Sequence, residues 1–264
     1  MTTIAEVVAF LATKVPPDYQ ESWDCNGLQV GNPQRSITKI LTTLDVTPAV
    51  VQQAIDINAE LIVAHHPFIF QSYASLCEES FLGRMLEKLC EHHIGVYVAH
   101  TNCDACPGGL NDLLAKKLGV IKTEILAPSP PPREKEGGLG RVGFLSKQTT
   151  LKDFLKNIQK TFQPTSLRYV GDLKTAIKKV ALCSGSGASL LPQVLEAKVD
   201  CYVTGDLKYH QALEAHFQDL TLIDLGHYAT EIIVTELFSQ WIQEGFKDLE
   251  CHPFQGGKDP FSNV

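Results

Sequence analysis

Three short apolar runs in this chain end in histidine, and two of them carry a carboxylate four residues further on. The first is Ala59-Glu-Leu-Ile-Val-Ala-His65-His66-Pro67. Its residues 61–64 read as a buried strand, because four apolar residues without helical spacing are stopped by an imidazole pair and a proline. The second run, Ile94-Gly-Val-Tyr-Val-Ala-His100, is followed by Asp104. The third, Leu220-Thr-Leu-Ile-Asp-Leu-Gly-His227, leads to Glu231. Neutral imidazole is the commonest protein ligand for first-row transition metals, and ligand sites in open α/β sheets lie beyond the carboxyl ends of strands. A turn with solvated histidines explains one such end but not three. The four-residue spacing puts His227 and Glu231 on one helical face. Glu231 is expected to open a helix with apolar positions Ile233, Leu237 and Trp241.

The elements that must position these residues are repeated along the chain. A strand over 37–44, a helix over 48–57 and a strand over 61–64 recur when the chain is shifted by 140 positions, from Ile37 to Ile177. Thr204-Gly205-Asp206 then stands where Ala64-His65-His66 stands, without an imidazole, and His100 with Asp104 answers to His227 with Glu231 at changed spacing. Such self-similarity predicts a duplicated α/β unit. Residues 1–127 form the first repeat, 128–143 a Pro- and Gly-rich connector, and 144–264 the second repeat. Asp206 and His210 follow the second copy of the histidine-bearing strand. They read either as proton-moving groups or, more plainly, as a helix cap and a surface residue.

Other stretches are more ordinary. Thr3 and Glu6 have the spacing of a capping box for a helix that runs close to Pro16. Residues 23–31, Trp-Asp-Cys-Asn-Gly-Leu-Gln-Val-Gly, read as a structured loop in which Gly27 and Gly31 suit positive φ. Strands are expected over 140–145 and 167–170, flanking a helix over 151–162. The Gly-rich turn around Gly185 and Gly187 could hold an anion on its amides, but lacks the lysine of a P-loop and the third glycine of a dinucleotide turn.

With 44% hydrophobic and 20% charged residues, the 264-residue chain is of ordinary globular composition. Its net charge of −7 argues against broad nucleic-acid binding, which needs Lys and Arg to neutralise phosphates. Lys174, Lys178 and Lys179 are expected to form a solvated face. The N-terminus does not read as a signal peptide, and no apolar run reaches the roughly 18 residues of a membrane span, so a cytoplasmic protein is expected. Its eight cysteines should then be mostly free thiols. Cys103-x-x-Cys106 lacks the context of a redox motif or the second pair of a structural zinc site.

Taken together, Trp23-Asp-Cys-Asn-Gly-Leu-Gln-Val-Gly31, Ala64-His-His-Pro67, His100-Thr-Asn-Cys-Asp104, Thr204-Gly-Asp206 and Gly226-His-Tyr-Ala-Thr-Glu231 resemble the Nif-three-like family over nearly the whole chain. The family is named after an NGG-interacting factor, and its bacterial members are often labelled GTP cyclohydrolase I type 2 homologues. The resemblance implies an α/β fold of two intertwined, repeated halves with mixed sheets, a metal site at the carboxyl ends of strands, and a homohexamer. It also implies two divalent ions per chain, one on His66 and Asp104, the other on His65 and His227, with Glu231 bridging. Adjacent side chains of an extended segment diverge, which agrees with His65 and His66 serving different ions. The donor set suits Zn, Mn, Fe, Ni or Co. His100 has no ligand role in that allocation and stands as a proton-moving neighbour or as a residue satisfied by a hydrogen bond. A small-molecule hydrolase, with a nucleotide such as GTP as one substrate, is then the leading function. A metal carrier or insertase and a regulatory metal-binding protein need the same ligands.

Overall fold

The repeat in the sequence is a repeat of strand order. The computed structural model describes residues 1–129 and 136–263, so 130–135 of the expected connector lie outside the described residues. In chain order the elements are α1 (Ile4–Lys14), β1 (Gly27–Val30), β2 (Lys39–Thr43), α2 (Pro48–Asp56), β3 (Leu61–Ala64), α3 (Phe81–Glu91), β4 (Gly95–Val98), α4 (Thr101–Ala105), α5 (Leu110–Leu118) and β5 (Val120–Pro128). There follow β6 (Gly138–Thr150), α6 (Leu151–Phe162), β7 (Arg168–Val170), β8 (Ala176–Leu182), α7 (Leu191–Glu196), β9 (Cys201–Thr204), α8 (Tyr209–Phe217), β10 (Thr221–Asp224), α9 (His227–Glu231), α10 (Val234–Gly245) and β11 (Glu250–Pro253).

The chain forms two compact units. One is Met1–Cys103 with Val234–Gly257, the other Asp104–Ile233 with Lys258–Val264. The first repeat's unit therefore borrows α10 and β11 from the end of the second, which is the sense in which the halves are intertwined. Among the described residues, no helix is long and apolar enough to cross a membrane.

The first unit holds a five-stranded sheet in the order β1-β4-β3-β2-β11. β2, β3, β4 and β11 run parallel, and β1 is antiparallel to β4. β3 and β4 are buried at every position. Burial on both faces is why they read as unbroken apolar runs rather than alternating ones. Ile62, Val96 and Val98 pack with Val50, Val51 and Leu89 from α2 and α3. Thr3 and Glu6 form the expected capping box at α1, and Thr47 caps α2 ahead of Pro48. The loop expected over 23–31 is partly a strand: β1 occupies Gly27–Val30 at the sheet edge. Four residues with a register shift between Leu28 and Val30 leave no period-2 signal to read. Gly27 and Gly31 do adopt φ of +99° and +116°.

The second unit holds a six-stranded sheet in the order β5-β6-β8-β9-β10-β7. β8, β9 and β10 run parallel, while β6 and β7 are antiparallel to their neighbours β8 and β10. The 140-residue shift reproduces the strand register, since Ile40 pairs with Leu61 and Val180 with Cys201. Both sheets place an antiparallel edge strand beside the third parallel strand, β1 beside β4 and β7 beside β10. Leu151, Phe154 and Ile158 of α6 pack on Val180, Val203 and Ile223. The helix expected to open at Glu231 is instead two helices. Glu231 closes α9, and α10 begins at Val234. No glycine or proline marks that break, so apolar periodicity runs straight through it.

Candidate functional site

In the first unit the parallel ladder continues past the ends of the strands and fixes the histidines there. The His65 amide donates to Thr43 O at 3.2 Å and the His66 amide to Leu44 O at 2.9 Å. His65 is fully buried, and its Nδ1 lies 2.8 Å from the carbonyl oxygen of Ala99. A carbonyl only accepts, so Nδ1 carries the proton and Nε2 the lone pair. His66 Nδ1 is 2.7 Å from Asp45 Oδ1, and His100 Nδ1 is 2.8 Å from Asp24 Oδ1. The ring centroids of His65, His66 and His100 are 5.2 to 5.6 Å apart, and one ring nitrogen of each lies within 4.8 Å of the others.

Asp24 is the member of this group that its sequence position did not disclose. Its buried carboxylate accepts from the His100 ring, from the Thr101 amide at 3.1 Å and hydroxyl at 2.5 Å, and from the Cys25 amide at 2.8 Å. Burial pushes its pKa up, but the His100 and Thr101 hydrogen bonds, the His100 charge and the Cys25 amide outweigh that and bring it down to about 2. Asn26 Oδ1 accepts the His100 amide at 3.0 Å. The Trp-Asp-Cys-Asn string thus serves as the holder of His100.

In the second unit Asp104, His227 and Glu231 come together. His227 Nδ1 lies 2.7 Å from Asp206 Oδ2, and its Nε2 lies 2.9 Å from Glu231 Oε2. Two ligand atoms about 2.0–2.2 Å from one ion at a right angle are about 3 Å apart, so this spacing suits a shared ion. A carboxylate oxygen of Asp104 lies within 4.8 Å of one of Glu231, and both residues are buried. Ser184 Oγ donates to Asp104 Oδ1 at 2.9 Å, while Asn111 Nδ2 donates to Asp104 O at 3.0 Å.

The glycines of this unit are explained by contact. A Cβ on Gly185 would stand 2.1 Å from Glu231 Oε1, and Gly185 has φ of +58°. A Cβ on Gly205 would stand 2.6 Å from the backbone nitrogen of His227. Gly205 occupies the repeat position of His65, so the second unit cannot carry a side chain where the first carries its buried imidazole. The amides of Ser184, Gly185 and Gly187 donate to Asn111, Thr230 and Thr204. These bonds take up three of the turn's backbone donors.

Asp206 and His210 are placed differently from each other. Asp206, at φ +56°, accepts from His227 and does not cap α8, whose N-cap is Lys208. His210 is exposed in the first turn of α8, edge-on to Tyr209. Lys178 and Lys179 donate to the carbonyls of Leu145, Ser146 and Ala197. All eight cysteines are thiols rather than disulfides, and burial pushes the Cys106 thiol up to about 12, which keeps it protonated. Cys183 and Cys201 are likewise raised by burial.

The donors present are therefore imidazoles and carboxylates, with each of the four imidazoles held at Nδ1 by an oxygen. That set fits a transition metal ion. A family profile described as Duf34/NIF3 (NGG1p interacting factor 3) matches residues 2–260. A Clostridium perfringens protein named GTP cyclohydrolase 1 type 2 homolog is 35% identical over 260 residues, 98% of each chain. A Lactococcus lactis protein of the same name is 37% identical over 252 residues, 94% of this chain and 95% of the relative. The crystal structure of a Staphylococcus aureus hypothetical protein has 30% identity and a TM-score of 0.92, covering 99% of each chain. A Bacillus cereus protein related to NIF3, at 24% identity and a TM-score of 0.92 over 100% of this chain and 99% of that one, shares the fold.

Proposed function

Because the chain belongs to the Duf34/NIF3 (NGG1p interacting factor 3) family, we propose that it is a metal-dependent hydrolase of a small substrate. The name of its relatives directs the proposal to nucleotides and to ring-opening hydrolysis of the cyclohydrolase type. The observation that carries it is the anchoring of four imidazoles at Nδ1 by Ala99, Asp45, Asp24 and Asp206, which turns each Nε2 into a lone-pair donor.

In the proposed allocation His66 and Asp104 hold one divalent ion, His65 and His227 another, and Glu231 both. Bound ions supply Lewis acidity to a substrate oxygen and lower the pKa of water. His100, outside that ligand set, is the proton-moving residue. Asp24 holds its Nδ1–H and stabilises the imidazolium formed when Nε2 takes a proton. Asp206 orients His227, and His210 has no role in this scheme. A cytoplasmic homohexamer is part of the proposal, and a solution mass near that of one 29.1 kDa chain would remove the hexamer.

The test is elemental analysis joined to turnover. Protein purified without chelator should carry up to two transition ions per chain, and Glu231→Gln should lose at least one. Unchanged occupancy in that variant would refute the bridging role. Turnover of a nucleotide or cyclic phosphoester should vanish on chelation and return with one particular metal. Stoichiometric ion transfer to an apo-enzyme, with no turnover on any substrate, would replace the hydrolase by a carrier.

A further inference from the structure

Beside His100 the first unit carries an exposed aromatic row that the metal chemistry does not use. Trp23 is 58% exposed and lies edge-on to both His100 and Phe70, with ring centroids 6.1 and 6.2 Å apart. Phe70 is 49% exposed and walls a cavity of about 420 Å³ that is also lined by Cys25, Ile69, Gln71 and Tyr73. The Gln29 side chain ties this segment down. Its Nε2 donates to Cys25 O and Ile69 O at 2.9 Å each, and its Oε1 accepts the Ile69 amide at 2.8 Å. Cys25 Sγ adds a contact of 3.7 Å to Phe70 O.

Large exposed rings are costly to leave in water, and an apolar recess with a few polar groups at its wall is the usual anatomy of a small-molecule site. A recess of 300–1,000 Å³ is the usual size. Phe70 and Tyr73 in the lining are rings of the kind on which a flat π-system stacks, and Gln71 and Ser72, also in the lining, are residue types that hydrogen-bond a base edge. The row runs from this cavity through Trp23 to His100. We infer that the recess at Phe70 and Tyr73 binds the planar heteroaromatic ring of the substrate, a purine-type base, with the Trp23 ring between that recess and His100. The inference rests on the proposed hydrolase reading for the substrate's fate, but not for the binding itself.

Trp23 is exposed with its ring 6.2 Å from that of Phe70, and Trp241 is buried, so a change in Trp23 fluorescence reports on a ligand at Phe70. Guanosine should quench Trp23 saturably, and ribose 5-phosphate should not. Phe70→Ala should weaken guanosine binding about tenfold or more, the scale of one lost base–aromatic stack, while Phe70→Tyr keeps it. Phe70 is half exposed, and an unchanged melting temperature shows that the variant folds. The inference is overturned if guanosine gives no saturable quenching at millimolar concentration. It is also overturned if ribose 5-phosphate quenches equally, or if Phe70→Ala binds as tightly as the parent. A fourth overturning result is a change in solution mass for Phe70→Ala with guanosine affinity intact, which would make this face a contact between copies. The titration is repeated after chelation. Quenching by a metal-free protein keeps the recess whatever becomes of the metal reading, and a normal metal content without quenching removes the recess alone.

Discussion

Gly185 is the residue against which Glu231, a proposed ligand of the second unit, is packed. Any side chain there would collide with Glu231 Oε1 and would have to adopt a φ of +58°. Gly185→Ala is expected to cost about 1–3 kcal/mol through crowding and backbone strain. It should also lower metal content, as Glu231 is pushed from His227. Ser186→Ala, in the same turn but exposed, should leave both unchanged, as elemental analysis and thermal melts will check. Asp24 gives a pH signature. Its folded pKa, about 2, lies below the ordinary 3.8, so its stabilisation is complete above about pH 4 and is lost as pH falls through about 2. Asp24→Asn should therefore melt lower than the parent near pH 5, with the gap closing toward pH 2. A gap that stays constant would remove the Asp24–His100 pairing as its source. The histidines and carboxylates were legible because each stands at a recognisable strand end or helix spacing. Asp24 was not, since nothing along the chain links position 24 with position 100.

At the scale of elements, Arg141 of β6 is the clearest fastening. It is buried, donates through Nη1 to Gly138 O and Gly140 O at 2.8 Å and through Nη2 to Cys106 O at 3.2 Å, and pairs with Asp112 of α5. Arg141→Met should cost on the order of 3–5 kcal/mol in urea unfolding, because it leaves those acceptors without their donor. Arg141→Lys should recover little, since one ammonium cannot reproduce the fork. A loss under about 1 kcal/mol would show that water replaces the guanidinium. The parallel strands other than β11, and α1, α2 and α6, were readable from apolar runs, caps and proline positions. β1 and β11 were not. Both are four-residue edge strands, and each is defined by a partner far along the chain, β4 for one and β2 for the other.

At the scale of the whole molecule, the first unit is closed by residues from the chain's far end. Thr42 Oγ1 donates to Thr235 O at 2.8 Å, a Cβ on Gly245 would meet the Phe10 ring at 2.7 Å, and β11 covers the edge of β2. A chain ending at Ile233 should keep slow hydrogen exchange in β8, β9 and β10 and lose it in β2. Equal protection of β2 in the shortened and full chains would contradict that dependence. The repeat made the duplication legible, yet not this exchange of segments, because self-similarity records ancestry of sequence and says nothing of which copy a strand finally joins. The exchange also sets a timetable for synthesis. β11 leaves the ribosome about 200 residues after β2, a delay of roughly 10–40 s at about 5–20 residues per second. For that interval β2 has an open edge, and the imidazoles beyond β3 and β4 sit on an unfinished sheet while β5 to β10 are already made. In the proposed metal reading, a nascent chain that captured an ion early would do so on that incomplete scaffold, so loading would belong after the last strand has docked.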